Sequence, residues 1–188
     1  MALSVAAGCG GDDAPRRSAL ARSAPGVGPD ARWRPPSLSP AVARARPVRG
    51  LRCSRARRPR FGVHLELFAK RRVVIVAPGI GVAPPRRREG AYVRGGRCAY
   101  PARTREPTGV VEVERGAALT LADVFAIWGQ PLGPRRLAGF RGPVTAYVGG
   151  RARRGDPRRI RLEPHAQIVL EVAGHVPPHP RYRFPNGL

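Results

Sequence analysis

Lysine, histidine, cysteine and acidic residues are all scarce in this chain. Its 188 residues include 35 basic and 12 acidic ones, four histidines and three cysteines, and Lys70 is the single lysine. No segment approaches the ~20 apolar residues of a transmembrane helix, so we expect any membrane attachment to be made through lipid. The formal net charge is +23, and because Lys70 is the single lysine, arginine supplies nearly all of the positive charge. Arginine, glycine and proline codons are GC-rich, so part of this charge reflects genome composition.

The sequence also lacks the common signatures of catalysis and of nucleic-acid recognition. It contains no G-x-S-x-G, H-E-x-x-H, P-loop or dinucleotide-binding turn, and no zinc-finger spacing or RNP-like aromatic run. Its arginines are spread along the chain, which predicts non-specific binding to nucleic acid or other anionic polymers at low salt. The sequence leaves open a catalytic pair in which Cys98 is the nucleophile and His64 the base. A non-enzymatic protein is favoured.

The first nine residues predict a lipid anchor. Val5 to Gly8 precede Cys9 in a pattern that resembles a bacterial lipobox, and a polar Gly-Gly-Asp-Asp spacer follows. The apolar run before the cysteine is shorter than the ~7–15 residues of a signal h-region and no basic residue precedes it, which an upstream start codon would explain. We therefore interpret residues 1–9 as a truncated signal and Cys9 as the lipidated residue. The alternative is an ordinary N-terminus that contains a cysteine.

Residues 10–60 predict a disordered tether and residues 61–188 a folded domain. The tether is rich in arginine, proline, alanine and serine without a sustained hydrophobic period, so it cannot bury enough apolar surface to offset its chain entropy. From Phe61 the pattern alternates between apolar and polar residues, as in half-buried strands. We predict strands at about 61–67, 72–76, 109–114, 143–148 and 167–172.

One helix is predicted at about 120–128. Thr120 and Asp123 have capping-box spacing, and the apolar residues after them recur at i, i+3, i+4 and i+7. Trp128 lies on this stripe and is expected in the core, and Gly129 ends the helix. The order of elements predicts a mainly β or α+β fold, a small antiparallel β domain with one short helix.

Several segments resemble an uncharacterised family of exported bacterial proteins. The resemblance covers about residues 61–188, and its most specific parts are W-G-Q-P-L at 128–132 and P-H-A-Q-I-V-L-E at 164–171. The family is characterised by a histidine-rich segment, L-H-T-H-D followed by G-x-I-H-x-E, after a strand with H-x-H. Such a set of imidazoles and a carboxylate implies a transition-metal site in those relatives.

This chain departs from the family at that segment. By the resemblance, Arg103, Arg105 and Glu112 stand at the histidine positions and Glu106 at the aspartate position, while Gly62 replaces the first histidine of H-x-H and His64 keeps the second. Arginine has no lone pair for a metal. We therefore expect a degenerate former site in which Arg103 and Arg105 pair with Glu112 and Glu114 in place of the ion.

The remaining candidate ligands and the cysteines also have structural interpretations. If any metal is bound, His64, His165, Glu112 and Glu114 are the residues left to hold it, and no cofactor is expected. His64 is expected on the solvent face of its strand and His165 in a turn, while His175 and His179 lie in a proline-rich tail. Cys53 and Cys98 are a possible disulfide in an oxidising compartment.

These features predict a non-enzymatic lipoprotein of the bacterial cell envelope. Its β-rich domain would lie at the outer face of the cytoplasmic membrane, or be secreted, and bind an unidentified extracytoplasmic ligand. The alternatives are a metal-binding envelope protein, which the metal content of purified protein would reveal, and a secreted basic protein that binds anionic polymers or nucleic acid, which salt-sensitive binding would reveal.

Overall fold

The computed structural model describes residues 35–176, 182–185 and 187–188. The helices in this part of the chain are α1 (Pro40–Ala43) and α2 (Leu121–Trp128), with a 3₁₀ turn at Pro157–Arg159. The strands are β1 (Arg60–Ala69), β2 (Arg72–Val73), β3 (Arg87–Glu89), β4 (Tyr92–Gly95), β5 (Ala102–Thr104), β6 (Val110–Glu114), β7 (Leu132–Gly133), β8 (Arg136–Leu137), β9 (Phe140–Arg141), β10 (Val144–Val148), β11 (Arg151–Arg153) and β12 (Gln167–Val172). The chain is mainly β, which confirms the predicted fold class.

A seven-stranded sheet organises the domain. Its strand order is β11-β10-β12-β1-β6-β5, and β2 pairs with the end of β1. The pairing of β1 with β12 is parallel, whereas the other pairs of this sheet are antiparallel. The sheet is thus mostly antiparallel, as expected, with one parallel pair at its centre, where a long crossover brings the last strand beside the first. The predicted strand at 72–76 is also shorter, since β2 ends at Val73.

One face of the sheet and helix α2 enclose the hydrophobic core. Alternate residues of β1, Val63, Leu65 and Leu67, are at most 1% exposed and join the cluster that includes Phe125 and Trp128. This is the alternation that the sequence predicts. The opposite face of β1 was expected to meet solvent, and this is wrong, because nine of the ten residues of β1 are buried.

Residues 182–185 and 187–188 explain this second buried face. The ring of Tyr182 stacks on His64 with centroids 4.0 Å apart. A Cβ built on Gly62 would lie 2.6 Å from the ring of Phe184, so only glycine lets this aromatic ring approach the strand so closely. The C-terminal segment thus covers the centre of the polar face of the sheet.

Helix α2 begins and ends at the residues that its sequence predicts. The carboxylate of Asp123 accepts hydrogen bonds from the backbone N–H and the hydroxyl of Thr120, both at 2.9 Å. Gly129 adopts the left-handed conformation with φ 76° and ends the helix. Among the described residues, no helix is long and apolar enough to cross a membrane.

The folded region begins before Phe61, so part of the predicted tether belongs to the domain. Residues 35–60 include helix α1, whose Val42 is 0% exposed. The hydroxyl of Ser39 donates a hydrogen bond to the carbonyl of Ile127 at the end of α2. The sequence of this segment is polar and lacks a hydrophobic periodicity, so these few anchoring contacts could not be predicted from it. Residues 1–34, which hold the rest of the tether and Cys9, lie outside the described residues.

We predict that Trp128→Ala destabilises the protein by roughly 3–5 kcal/mol in urea unfolding, because a large buried aromatic side chain is lost. Trp128 is 1% exposed, and its indole N–H donates to the carbonyl of Pro36 at 2.8 Å. Trp128→Phe retains most of the apolar volume and serves as the milder control. An unchanged unfolding midpoint for the alanine variant would contradict this packing role.

Candidate functional site

Two arginines and one glutamate form the centre of the polar face between β5 and β6. Arg103 and Glu112 are register partners on the two strands. Glu112 Oε2 accepts from Arg103 Nε at 2.8 Å and lies 2.7 Å from Arg103 Nη2. Arg105 Nε lies 2.9 Å from Glu112 Oε1, which is close enough for an ion pair. Its N–H does not point at a carboxylate oxygen well enough to form a hydrogen bond. One buried carboxylate thus pairs with both guanidiniums and leaves the trio with a net charge of +1.

A second set of ion pairs continues along the same face. Glu114 lies 3.1 Å from Arg58 Nε and 3.8 Å from Arg60 Nη2. The expectation that Arg103 and Arg105 share Glu112 and Glu114 is therefore right for Glu112, whereas Glu114 pairs with two arginines from the start of β1. Arg58 and Arg60 were not predicted to belong to the site, because they lie in the segment assigned to the tether.

Arg60 is the most buried of these arginines, with a side chain 7% exposed. Its guanidinium donates to the carbonyls of Pro101, Glu112 and Tyr100 at 2.8–3.3 Å. Burial, followed by the repulsion of Arg103, lowers its pKa to about 10. Positive charge is therefore crowded at this site even after its carboxylates are counted.

An open groove of about 430 Å³ runs beside the ion-pair cluster. Its lining includes Arg58, Tyr92, Arg103, Arg105 and Glu106, together with Pro185, Gly187 and Leu188 of the C-terminal segment. Tyr92 is fixed by a hydrogen bond of 2.7 Å between its hydroxyl and Arg105 Nη1. The groove thus presents guanidinium edges, a phenol and one further carboxylate to a ligand.

His64 lies in the interior rather than on the solvent face. It is 7% exposed, and its Nε2 lies 3.0 Å from the carbonyl of Thr108. Its Nδ1 lies 3.5 Å from Glu66 Oε1. Both ring nitrogens thus face protein oxygens, and the expectation of an exposed His64 is wrong because the ring of Tyr182 covers it.

His165 occupies a turn, as the sequence predicts. Its φ of 58° and its backbone hydrogen bond to the carbonyl of Gly62 hold it beside β1. Its Nε2 lies 2.6 Å from the carbonyl oxygen of Leu188, and its ring stacks on Phe184. His165 therefore anchors the C-terminal segment over the sheet.

A further polar group on β12 was not expected from the sequence. The carboxylate of Glu171, with a side chain 4% exposed, lies 2.9 Å from His175 Nδ1 and accepts from the backbone N–H of Val176. The hydroxyl of Tyr147 lies 3.4 Å from the same His175 nitrogen. The sequence shows the i,i+4 spacing of Glu171 and His175, but the contact of Tyr147 with His175 depends on the pairing of β10 with β12.

The four residues left to hold a metal do not form one site. Glu112 and Glu114 pair with arginines, whereas His64 and His165 contact backbone carbonyls. Within residues 35–176, 182–185 and 187–188, no group of three or more histidine, cysteine, aspartate or glutamate side chains could hold an ion. His179 lies outside this part of the chain.

The thiols of Cys53 and Cys98 are joined as a disulfide, which encloses a sequence separation of 45 residues. The bond ties the segment before β1 to the loop before β5. It also removes the alternative in which Cys98 acts as a nucleophile with His64, because a disulfide sulfur has no thiolate to attack with. The loop-closure model assigns such a crosslink about 4 kcal/mol of stabilisation.

Comparison with known proteins identifies no relative of this chain. No family model, curated protein or solved structure matches it.

We predict that Glu112→Gln destabilises the protein by roughly 3 kcal/mol in urea unfolding, because it leaves two partly buried guanidiniums without a counter-charge. The matched control is Glu89→Gln, which breaks an exposed ion pair with Arg94 and should cost less than about 1 kcal/mol. Equal effects of the two substitutions would show that the Glu112 cluster is an ordinary surface network.

Proposed function

We propose that this chain is a non-enzymatic lipoprotein of the bacterial cell envelope. In this proposal Cys9 carries the lipid and the β-rich domain binds a ligand outside the membrane. The site would be the groove beside Arg103 and Arg105.

The observation that carries this proposal is the Cys53–Cys98 disulfide. Structural disulfides form and persist in oxidising compartments outside the cytoplasm and are rare inside it. The crosslink belongs to the folded domain rather than to an exposed tail, because it fastens residues 35–60 to the sheet. Its position therefore supports a domain that matures after export.

The groove supports a binding role. Arg103 and Arg105 are held in place by Glu112, while their side chains stay 18% and 29% exposed. Guanidiniums fixed in this way bind carboxylate or phosphate groups with little loss of side-chain entropy. Arg58, with a side chain 62% exposed, adds an adjustable cation at the rim. A small ligand with an anionic group fits this arrangement.

We predict that Cys9→Ala releases the protein from the membrane fraction when the gene is expressed in a bacterium with its native upstream region. Acyl chains on one cysteine supply many buried CH₂ groups at ~0.8 kcal/mol each, enough for stable anchoring. Radiolabelled palmitate should enter the native protein and not this variant. The paired control, Cys53→Ala with Cys98→Ala, should keep both the label and the membrane association. An unlabelled cytosolic native protein would refute the proposal.

A further inference from the structure

Two groups of arginines lie at opposite edges of the main sheet. The first is the cluster at the β5–β6 edge, where Arg58, Arg60, Arg103 and Arg105 pair with Glu112 and Glu114. The second surrounds β11 at the other end of the strand order. Five strand spacings of ~4.8 Å separate these edges, so they are roughly 24 Å apart. Charges at that distance are screened from each other at physiological salt.

The group at β11 has fewer carboxylates for its number of arginines than the first. Residues 151–161 contain six arginines and one acidic residue, Asp156, and all six arginines are exposed. Asp156 is occupied by Arg158, which contacts both of its carboxylate oxygens at 2.5–3.0 Å. Among the described residues, no ion pair to a carboxylate is formed by the other five. We call Arg151, Arg153, Arg154 and Arg159 the β11 patch.

The geometry of the β11 patch suits an extended anion. Arg151 and Arg153 are two residues apart on an edge strand, so their side chains leave the same face about 7 Å from one another. Arg153, Arg154 and Arg159 line an open groove of about 310 Å³ between this strand and the 3₁₀ turn, together with Asp156, whose carboxylate is paired with Arg158. Successive anionic groups of a linear polymer can therefore meet successive guanidiniums.

The surroundings of the β11 patch favour phosphates over apolar or aromatic ligands. Guanidinium forks bind phosphate oxygens bidentately. Leu38, in the N-terminal segment, is the one large hydrophobic residue that is exposed in the described part of the chain. The patch itself thus offers neither an apolar wedge for a bilayer nor a ring on which a base could stack.

We propose that the β11 patch binds a linear phosphate-bearing polymer through its phosphate groups. This second site goes beyond the proposed function, whose groove lies beside Arg103 and Arg105 at the other edge of the sheet. Arginines also protect an edge strand from pairing with other chains, but that role needs only a few charges on β11. It leaves the exposed Arg154 and Arg159 beyond the strand unexplained.

The test measures binding of the full-length, oxidised chain to long-chain inorganic polyphosphate between about 50 and 200 mM salt. The variant Arg151→Gln, Arg153→Gln, Arg154→Gln should lower the slope of log K against log salt by about 2, since each lost contact with a flexible anionic chain accounts for ~0.7. Single-stranded DNA should show the same dependence on the β11 patch, because it offers the same phosphates.

The matched control removes the same charge from exposed arginines near the other edge, in Arg52→Gln, Arg55→Gln, Arg57→Gln. Its salt slope should remain within about one unit of the native value. Equal losses for the two variants would overturn the proposal in favour of diffuse charge. Absent polyphosphate binding, or patch-dependent binding to phosphatidylglycerol vesicles alone, would overturn it as well. None of these results depends on Cys9, so they are separable from failure of the lipoprotein proposal.

Discussion

The burial of β1 on both faces is the constraint on which the rest of the domain depends. Its core face packs on α2, and its polar face is covered by Tyr182 and Phe184. A strand enclosed in this way needs partners on both edges, which β6 and β12 supply. The parallel pairing places β12, the last strand in the sequence, beside β1, and β10 and β11 pair outward from β12. The positions of these outer strands therefore depend on the enclosure of β1.

Charge is distributed around that central strand according to the available carboxylates. Where arginines are buried, as at Arg60 and Arg103, the structure provides glutamates or backbone carbonyls, because an unpaired buried cation is strongly unfavourable. Where arginines are exposed, as at Arg151 and Arg153, water supplies the solvation and no such partner is needed. Uncompensated charge therefore accumulates at the surface near β11, where it is free to bind an external anion.

Local patterns predicted much of the fold and little of the site. The alternation in 61–67 and the cap formed by Thr120 and Asp123 are set by neighbouring residues, and these elements were predicted close to their observed bounds. The burial of His64 depends on residues more than a hundred positions away, so local polarity suggested the wrong face. Predicting the ion pair of Arg58 with Glu114 likewise requires the register of the paired strands, which a local sequence pattern does not reveal.

We propose that this domain matures in an oxidising compartment with residues 35–60 fastened to its sheet. Peptide mapping without reduction tests this directly, on protein isolated from bacterial envelopes after free thiols have been blocked. We expect the peptides containing Cys53 and Cys98 to be recovered as one disulfide-linked species. Recovery of both cysteines as blocked free thiols would contradict it.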